Sequence, residues 1–347
     1  MLLTAFSATA AFDPRLTLFV LGRLLVAAVA YGALVRGGWE VGKVWLAVGL
    51  GTAVQASVAL AQFALQAEVG LRWLGELNLD RTRIGVSIIT MSGENWLRGY
   101  GLTAHPNFLG GVLATSLLLL WPVGAQLHGR WPTAAWLATL GLGMAGLLVS
   151  FSRSAWLGFG VGAAVILLFL PSRKQLWPLL LVSAAVLALF VASQRPLLGS
   201  RFAFLQGNEI PTESRSLSER QTLNQLAGQM AGWRGVGAGN FAAVIRPLVA
   251  DLPEIAPQPA HNVPLLLAAE LGWLGAAVWL LLMAWPPVMG WRAWRLGRLT
   301  PLALGATAAL VALAVVDLFD YYSWLSPQGQ LLRWSLWGLW AHEQAQG

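Results

Sequence analysis

Long apolar stretches alternate with short polar segments along nearly the whole chain. A helix needs about 20 apolar residues to cross a bilayer, and on that measure the pattern predicts nine membrane-spanning helices. Their residues are 16–35, 44–65, 107–126, 133–149, 155–170, 176–192, 263–285, 301–319 and 328–341. The sequence therefore predicts an all-α integral membrane protein, a polytopic helical bundle that forms a single membrane domain over residues 1–347, with one long helical outer loop at 193–262.

The composition agrees with a membrane protein. Of the 347 residues, 57% are hydrophobic and only 11% are charged, whereas about a quarter of a soluble chain is charged. Because cysteine is absent, neither disulfides nor thiolate metal sites can form. The formal charge is +7, but the basic residues are scattered among the loops. Basic loops of this kind are topology signals rather than a nucleic-acid surface, so no nucleic-acid partner is expected.

The short loops predict the orientation in the membrane. If the spans alternate, one side receives eight basic residues and a single acid, Glu40; the basic residues are Arg36, Lys43, Arg130, Arg173, Lys174, Arg292, Arg295 and Arg298. The positive-inside rule makes that side cytoplasmic. The amino terminus and the segments 66–106, 150–156, 193–262 and 320–327 are then expected on the outer face.

Arg153 lies in the Ser-Phe-Ser-Arg-Ser-Ala-Trp segment, between two apolar runs. An arginine at the centre of a membrane helix costs about 2.5–3.5 kcal/mol on insertion scales. An arginine that is kept at such a junction is therefore expected to have a function. A guanidinium at a membrane face is suited to holding an anionic head group.

The middle of the long outer loop has a helical pattern. Leu223, Leu226, Met230 and Trp233 form one apolar stripe, which predicts a surface helix that turns Arg220 toward the bundle; a solvated Arg220 is the alternative. The glycine-rich segment 235–240 then ends this helix. It could cradle a phosphate, but no strand precedes it and no Lys-Ser/Thr follows, so a tight turn is favoured.

His261 lies just before the seventh predicted span. Asn262 is a suitable helix N-cap and Pro264 is tolerated in the first turn. The helix dipole disfavours imidazolium at that end, as would a nearby Arg153 or Arg220, and a neutral histidine can serve as a general base. His105 occupies a similar place before the third span, and both a structural and a functional role remain open for it.

Asp317, Asp320, Tyr321 and Tyr322 lie near the outer end of the eighth span. They could orient a sugar or an arginine, or form a solvated helix end. No carboxylate cluster suits a metal, so neither a metal nor a cofactor is expected. Arginines that hold a diphosphate leaving group and a histidine that takes a hydroxyl proton suit metal-independent, inverting glycosyl transfer from a lipid diphosphate.

The same segments carry a family resemblance. In order along the chain, 101–110, 150–158, 235–241, 260–262, 270–272 and 320–322 resemble motifs of the O-antigen ligase and O-antigen polymerase superfamily. The resemblance covers about residues 95–340. It implies a C-type glycosyltransferase fold in the bacterial inner membrane with its active face in the periplasm.

By the same resemblance, the donor is a glycan linked to undecaprenyl diphosphate, and the protein contacts the surrounding membrane lipid. The acceptor is lipid A core, another glycan or a protein hydroxyl. Arg153, Arg220 and His261 match the family's functional positions, and His105, Asn262, Asp320 and Tyr321 are candidate substrate-binding residues. Members usually have about twelve spans. The count of nine corresponds either to a shorter enzyme or to a gene model that lacks three N-terminal spans.

Two other classes of function stay open. A transporter or flippase for polyprenyl-linked glycans would carry ionisable residues near the bilayer midplane. Arg23 and Arg333 are the only basic residues within the predicted spans, and both are near enough to an outer end to snorkel. The polar chemistry on one face favours surface catalysis over alternating access. The other alternative is a scaffold that binds anionic lipid through its outer arginines.

Overall fold

A computed structural model describes residues 1–83, 85–91, 93–124, 126–170, 177–201, 211–252 and 255–346. The predicted cytoplasmic residues Arg173 and Lys174, and residues 202–210 of the predicted outer loop, lie outside the described residues. Within them there are two short 3-10 helices and fourteen α-helices: α1 Leu2–Ser7, α2 Pro14–Arg36, α3 Val41–Leu65, α4 Pro106–Gly124, α5 Arg130–Val149, α6 Arg153–Phe169, α7 Trp177–Arg201, α8 Pro211–Met230, α9 Phe241–Ile245, α10 Val263–Glu270, α11 Gly272–Arg295, α12 Pro301–Val316, α13 Tyr322–Leu325 and α14 Pro327–Gln346.

The predicted all-α membrane class is confirmed. Six of the helices are long and apolar enough to cross a membrane, namely α2, α3, α4, α5, α7 and α11, and α6 and α12 are shorter apolar helices. The last predicted span, 328–341, forms the helix α14 but is not among these eight. The β-structure of the described chain is one antiparallel hairpin, β1 Ile88–Met91 with β2 Glu94–Leu97.

The seventh predicted span is broken, which corrects the prediction of one continuous helix over 263–285. The helix α10 ends at Glu270 and α11 begins at Gly272. Gly272 has φ of +76°, and a Cβ there would lie 2.4 Å from the carbonyl oxygen of Trp233. The N–H of Trp273 also donates to the carbonyl of Gly232 at 2.8 Å. The break thus packs the segment after α8 against the α10–α11 junction.

The start of the predicted outer loop also differs from the structure. Residues 193–201 continue α7, with non-helical backbone angles at Gln194 and a proline at 196. At the other end of the loop's helix, α8 ends at Met230 rather than at the glycine-rich segment. As a result Trp233, predicted to continue the apolar stripe, lies beyond the helix and is 87% exposed, whereas Leu223 is fully buried.

The chain divides into two compact units. The first comprises Met1–Gly37, Ser214–Met289 and Leu313–Gln346, and the second comprises Gly38–Glu213 and Gly290–Ala312. The single membrane domain predicted over residues 1–347 stays a prediction. In the first unit, the apolar core packs α8, α9 and α10 with part of α2, and a Cβ at Gly338 of α14 would lie 2.7 Å from the Cβ of Leu34 in α2.

In the second unit, α4 is the central helix, with 89% of its candidate span buried. Close approach of the neighbouring helices depends on small residues. A Cβ at Gly110 of α4 would lie 2.8 Å from Ala155 of α6, and one at Gly162 of α6 would lie 2.4 Å from Leu118 of α4. Small residues of this kind let membrane helices pack backbone against backbone. The segment after α5, which carries Arg153, is thereby held against α4.

Candidate active site

His261 is fixed at the start of α10 by local capping. As predicted, the side chain of Asn262 accepts a hydrogen bond from the N–H of Leu265 at 3.0 Å, and proline occupies the first turn. The N–H of Val263 donates to the carbonyl of Asp317 at 2.7 Å, and the amide of Asn262 donates to the carbonyl of Leu318 at 3.3 Å. The start of α10 is therefore tied to the turn that follows α12.

The His261 imidazole packs against an aromatic ring and is largely shielded from solvent. Its ring lies edge-on to that of Tyr321, with 5.1 Å between the centroids and 73° between the planes. Its Nδ1 is buried and has no hydrogen-bond partner among the described residues. Burial lowers the pKa of His261 to about 4; the charge of Arg220 also lowers it, while that of Asp320 opposes the shift. The predicted neutral imidazole follows mainly from desolvation.

Asp320 and Tyr321 come from the turn between α12 and α13. Asp320 is only 7% exposed, and its carboxylate accepts the N–H of Tyr321 at 2.9 Å. Burial raises the pKa of Tyr321 to about 12, and the negative charges of Asp320 and Glu219 add to the shift. The phenol is thus a neutral donor at physiological pH.

A buried ion pair stabilises the same turn. Asp317, which has no exposed surface, pairs with Arg333 of α14 and accepts a hydrogen bond from the hydroxyl of Ser323. The guanidinium of Arg333 also lies over the ring of Trp279, 4.7 Å from its centroid. The prediction that Arg333 snorkels is therefore wrong, since its counter-charge lies within the unit, and Asp317 is not a solvated helix end.

Arg23 also uses a partner within the same unit. Its Nη1 donates to the carbonyl of Leu325 at 2.5 Å, and its guanidinium lies 4.7 Å from the centroid of the Phe19 ring. Arg23 is partly exposed, and its predicted snorkelling stays a prediction. The carbonyl at the end of α13 supplies the acceptor that a head group or water would otherwise provide.

Arg220 lies on α8, which packs into the core through Leu223 and Ala227. Arg220 is half-buried, and its charge acts on both His261 and Tyr321. The neighbouring Glu219 accepts the N–H of Ala256 at 3.0 Å. These positions agree with the predicted orientation of Arg220 toward the bundle rather than toward solvent.

The glycine-rich segment forms a tight turn, as favoured from the sequence. Gly237 and Gly239 have φ of +97° and +77°. The N–H of Gly237 donates to the carbonyl of Glu270 at 2.9 Å, and the N–H of Phe241 donates to its carboxylate at 3.3 Å. Because N–H groups that could cradle a phosphate donate instead to a buried glutamate, the turn has a structural role.

Glu270 is a residue whose role the sequence reasoning missed. Besides the glycine turn, its carboxylate accepts the indole N–H of Trp324 at 3.2 Å, so it joins the turn, α10 and α13. The pattern signals a buried glutamate in the Glu-Leu-Gly segment, because apolar residues surround it on α10. Its partners, however, lie about 30 and 54 positions away along the chain.

Arg153 and His105 belong to the second unit. Ser152 caps α6, of which Arg153 is the first residue. The Nη1 of Arg153 donates to the carbonyl of Arg201 at 3.3 Å, and the guanidinium of Arg201 donates back to the carbonyl of Phe151 at 3.2 and 3.3 Å. Phe151 itself has φ of +48°. The junction is thus held in a defined, strained turn that presents a half-buried arginine.

His105 is exposed, and its Nδ1 accepts the N–H of Asn107 at 3.1 Å at the start of α4. This bond gives His105 a structural role at the start of α4, and a functional role for it stays a prediction. A second missed residue, Arg98, is only 3% exposed and donates to the carbonyl of Ser150 at 2.8 Å and to the amide oxygen of Asn107 at 2.7 Å. It joins the segments that carry His105 and Arg153.

Of the predicted site residues, the first unit brings together His261, Asn262, Arg220, Asp320 and Tyr321, while the second unit holds His105 and Arg153. A common pocket for His261, Arg220 and Arg153 stays a prediction. The fold and this arrangement define a polytopic helical membrane protein with a shielded histidine, flanked by an arginine and an aspartate, at the start of a short helix.

Residues 137–280 match the O-antigen ligase family. This match, over less than half of the chain, confirms the predicted resemblance to the O-antigen ligase and polymerase superfamily and indicates a function of that general type. It includes Arg153, Arg220, His261 and Asn262, and leaves His105, Asp320 and Tyr321 outside it. No curated protein matches the chain.

Proposed function

We propose that the protein transfers a glycan from undecaprenyl diphosphate to an acceptor hydroxyl at the periplasmic face of the bacterial inner membrane. The observation that carries this proposal is the environment of His261. Its imidazole is neutral, and its buried Nδ1 has no hydrogen-bond partner among the described residues. Arg220 is close enough that its charge lowers the pKa of His261. Such a group can accept a proton beside a bound anion.

The reaction is a single displacement. The acceptor oxygen attacks the anomeric carbon of the donor sugar while the bond from that carbon to the diphosphate oxygen breaks. The hydroxyl proton passes to His261, and the electron pair of the broken bond leaves with the diphosphate. Arg220 stabilises the negative charge on the leaving group through charge-assisted hydrogen bonds, and the family resemblance implies the same role for Arg153. One displacement inverts the anomeric configuration.

Asp320, Tyr321 and Asn262 support this step in the proposal. Asp320 stabilises the imidazolium that forms when His261 takes the proton, since its negative charge raises the histidine's proton affinity. Tyr321, whose phenol is neutral at physiological pH, donates to a sugar or phosphate oxygen. Asn262 keeps α10 capped so that the imidazole stays at the helix start.

The test is turnover by purified protein in liposomes. A polyprenyl-diphosphate glycan and a panel of lipid A core, glycan and peptide acceptors are supplied, and release of polyprenyl diphosphate is measured. We expect release, with inverted product configuration by NMR, and loss of at least about a hundredfold in His261→Ala, because general-base catalysis typically contributes 10²–10⁴. Arg220→Ala should show a comparable loss.

His128→Ala and Arg246→Ala are matched controls, because both side chains are exposed, and both should retain activity. Full activity in His261→Ala would remove that residue from the mechanism. Movement of labelled donor across the vesicle membrane with its sugar–diphosphate bond intact would favour the transporter alternative instead.

A further inference from the structure

The first unit contains a cavity of about 270 Å³ that the proposed reaction does not use. Its walls come from α1, α2, α10, α11 and the α13–α14 region, and most of its lining is hydrocarbon and aromatic rings. Ala28 of α2, Leu267 of α10, and the indoles of Trp279 and Trp324 are among the lining groups. Water gains few hydrogen bonds in such a space, and apolar cavities are filled by apolar ligands instead.

A second cavity, of about 290 Å³, adjoins the first, since Leu3 and Leu271 line both. Its lining is more polar and includes the hydroxyl residues Ser7 and Thr9 and the side chain of Arg234. Arg234 is exposed, and the ion pairs of the described residues do not include it. The lining is thus apolar in the first cavity and includes a cationic side chain in the adjoining one.

Two neighbouring features indicate that the second cavity lies at the level of lipid head groups. Trp233, which also lines it, is 87% exposed, and Phe6 on α1 is 74% exposed. Tryptophan is typical of the membrane–water interface, and Phe6 lines the same cavity. The helices α2 and α11, which wall the apolar cavity, are both long and apolar enough to cross a membrane.

We propose that the two adjoining cavities bind one anionic phospholipid of the surrounding bilayer. One acyl chain fills the apolar cavity, and the phosphate lies at Arg234, whose guanidinium can donate two parallel hydrogen bonds to phosphate oxygens. Leu267 forms part of the wall and belongs to α10, the helix that begins beside His261. A bound acyl chain therefore supports the helix that positions the candidate site.

The experiment uses the full chain, stripped of lipid in detergent and then incubated with phosphatidylglycerol or phosphatidylethanolamine. Native mass spectrometry measures retention. We expect wild type to retain one phosphatidylglycerol in preference to phosphatidylethanolamine. Ala28→Phe, which fills the apolar cavity, should lose both lipids. Arg234→Gln should lose the preference, with a roughly tenfold weaker affinity for phosphatidylglycerol, as expected for one charge-assisted interaction.

The matched controls are Ala33→Phe, on the exposed surface of the same helix, and Arg246→Gln, at an exposed position after α9; both should bind as wild type does. Unchanged retention in a folded Ala28→Phe protein, or an unchanged lipid preference in Arg234→Gln, would overturn the proposal. The assay contains no glycan donor, so its result is independent of the outcome of the transfer experiment.

Discussion

The ring of His261 meets that of Tyr321 edge-on, with 5.1 Å between the centroids. The contact joins the start of α10 to the turn after α12, and it helps to keep water from the imidazole. Desolvation is the main cause of the low pKa of His261, so the neighbouring ring contributes to the chemistry as well as to packing.

Replacement of Tyr321 tests this contribution. Tyr321→Phe keeps the ring, and we expect the pKa of His261 to stay near its wild-type value. Tyr321→Ala admits water, so the pKa should rise toward 6.5, the ordinary value for histidine, and about 0.5–1.5 kcal/mol of ring–ring stabilisation should be lost in addition to the buried area. Histidine NMR titration checks the first effect and chemical unfolding the second. Equal pKa values in both variants would contradict the shielding role.

The pH dependence of transfer follows from the same shift. With a pKa of about 4, His261 in the free protein is neutral at every pH above about 5. The kcat/KM for transfer should therefore stay constant from pH 8 to about pH 5 and fall below that. A bound diphosphate raises the pKa, so the acid limb of kcat should lie at higher pH than that of kcat/KM. An acid limb of kcat/KM with its midpoint near pH 6.5 would mean that the imidazole is solvated.

The free energy of unfolding should also depend on pH through the protonation of His261. Because the pKa of folded His261 lies below the unfolded value of 6.5, the folded state binds fewer protons between pH 4 and 6.5. Stability is therefore fully present above pH 6.5 and is lost as the pH falls through that window. His261→Gln should abolish this part of the decline, whereas His128→Gln, at an exposed position, should leave it unchanged. Urea unfolding at a series of pH values measures both.

Asn262 provides a test of how the helix start positions His261. Asn262→Ala removes the cap on α10 and the bond to the carbonyl of Leu318, and we expect a loss of about 0.5–2 kcal/mol in stability together with reduced transfer. Asn262→Asp keeps a cap acceptor but places a negative charge beside His261, so the histidine's pKa should rise. Asn262→Ser, which retains a cap, is the control. Wild-type stability in Asn262→Ala would show that the cap is dispensable.

The sequence predicts this helix start well because capping is local. Asn262 and Pro264, which are two positions apart, signal it. The break at Gly272 could not be predicted in the same way, since the apolar run continues through it and the close contact at Gly272 is with the distant carbonyl of Trp233. The membrane class and most helices follow from hydropathy for the same local reason.

The partners of the buried charged residues cannot be predicted from the sequence. The pattern predicts that Arg333 snorkels toward the membrane surface, yet it pairs with Asp317, sixteen positions away in the turn after α12. Glu270 and Arg98 likewise acquire their roles from residues that the fold alone brings near. The grouping of Arg220 with His261 was expected through the family resemblance as well as from the apolar stripe on α8, and the stripe alone misplaced the helix end.

The buried pair of Arg333 and Asp317 should be costly to break from one side. Each single variant, Asp317→Asn or Arg333→Met, leaves a buried charge without its counter-charge, and we expect a loss of about 3–5 kcal/mol. The double variant should recover much of that loss. Lys43→Met, which removes an exposed ion pair with Glu40, should change stability by less than about 1 kcal/mol. Additive losses in the double variant would show that the two charges are not coupled.

Gly235 provides a test of the contact between the glycine turn and α10. A Cβ at this position would lie 2.0 Å from the carbonyl oxygen of Glu270, a backbone atom that cannot move without displacing α10. Gly235→Ala should therefore destabilise the first unit and reduce transfer through displacement of the helix that begins beside His261. Gly228 in α8 is the matched control, because nothing lies within 4 Å of an added Cβ there. Gly228→Ala should stabilise the protein by up to about 1 kcal/mol through helix propensity. Thermal unfolding of the two variants measures the contrast, and equal stability would show that the turn adapts to a side chain at position 235.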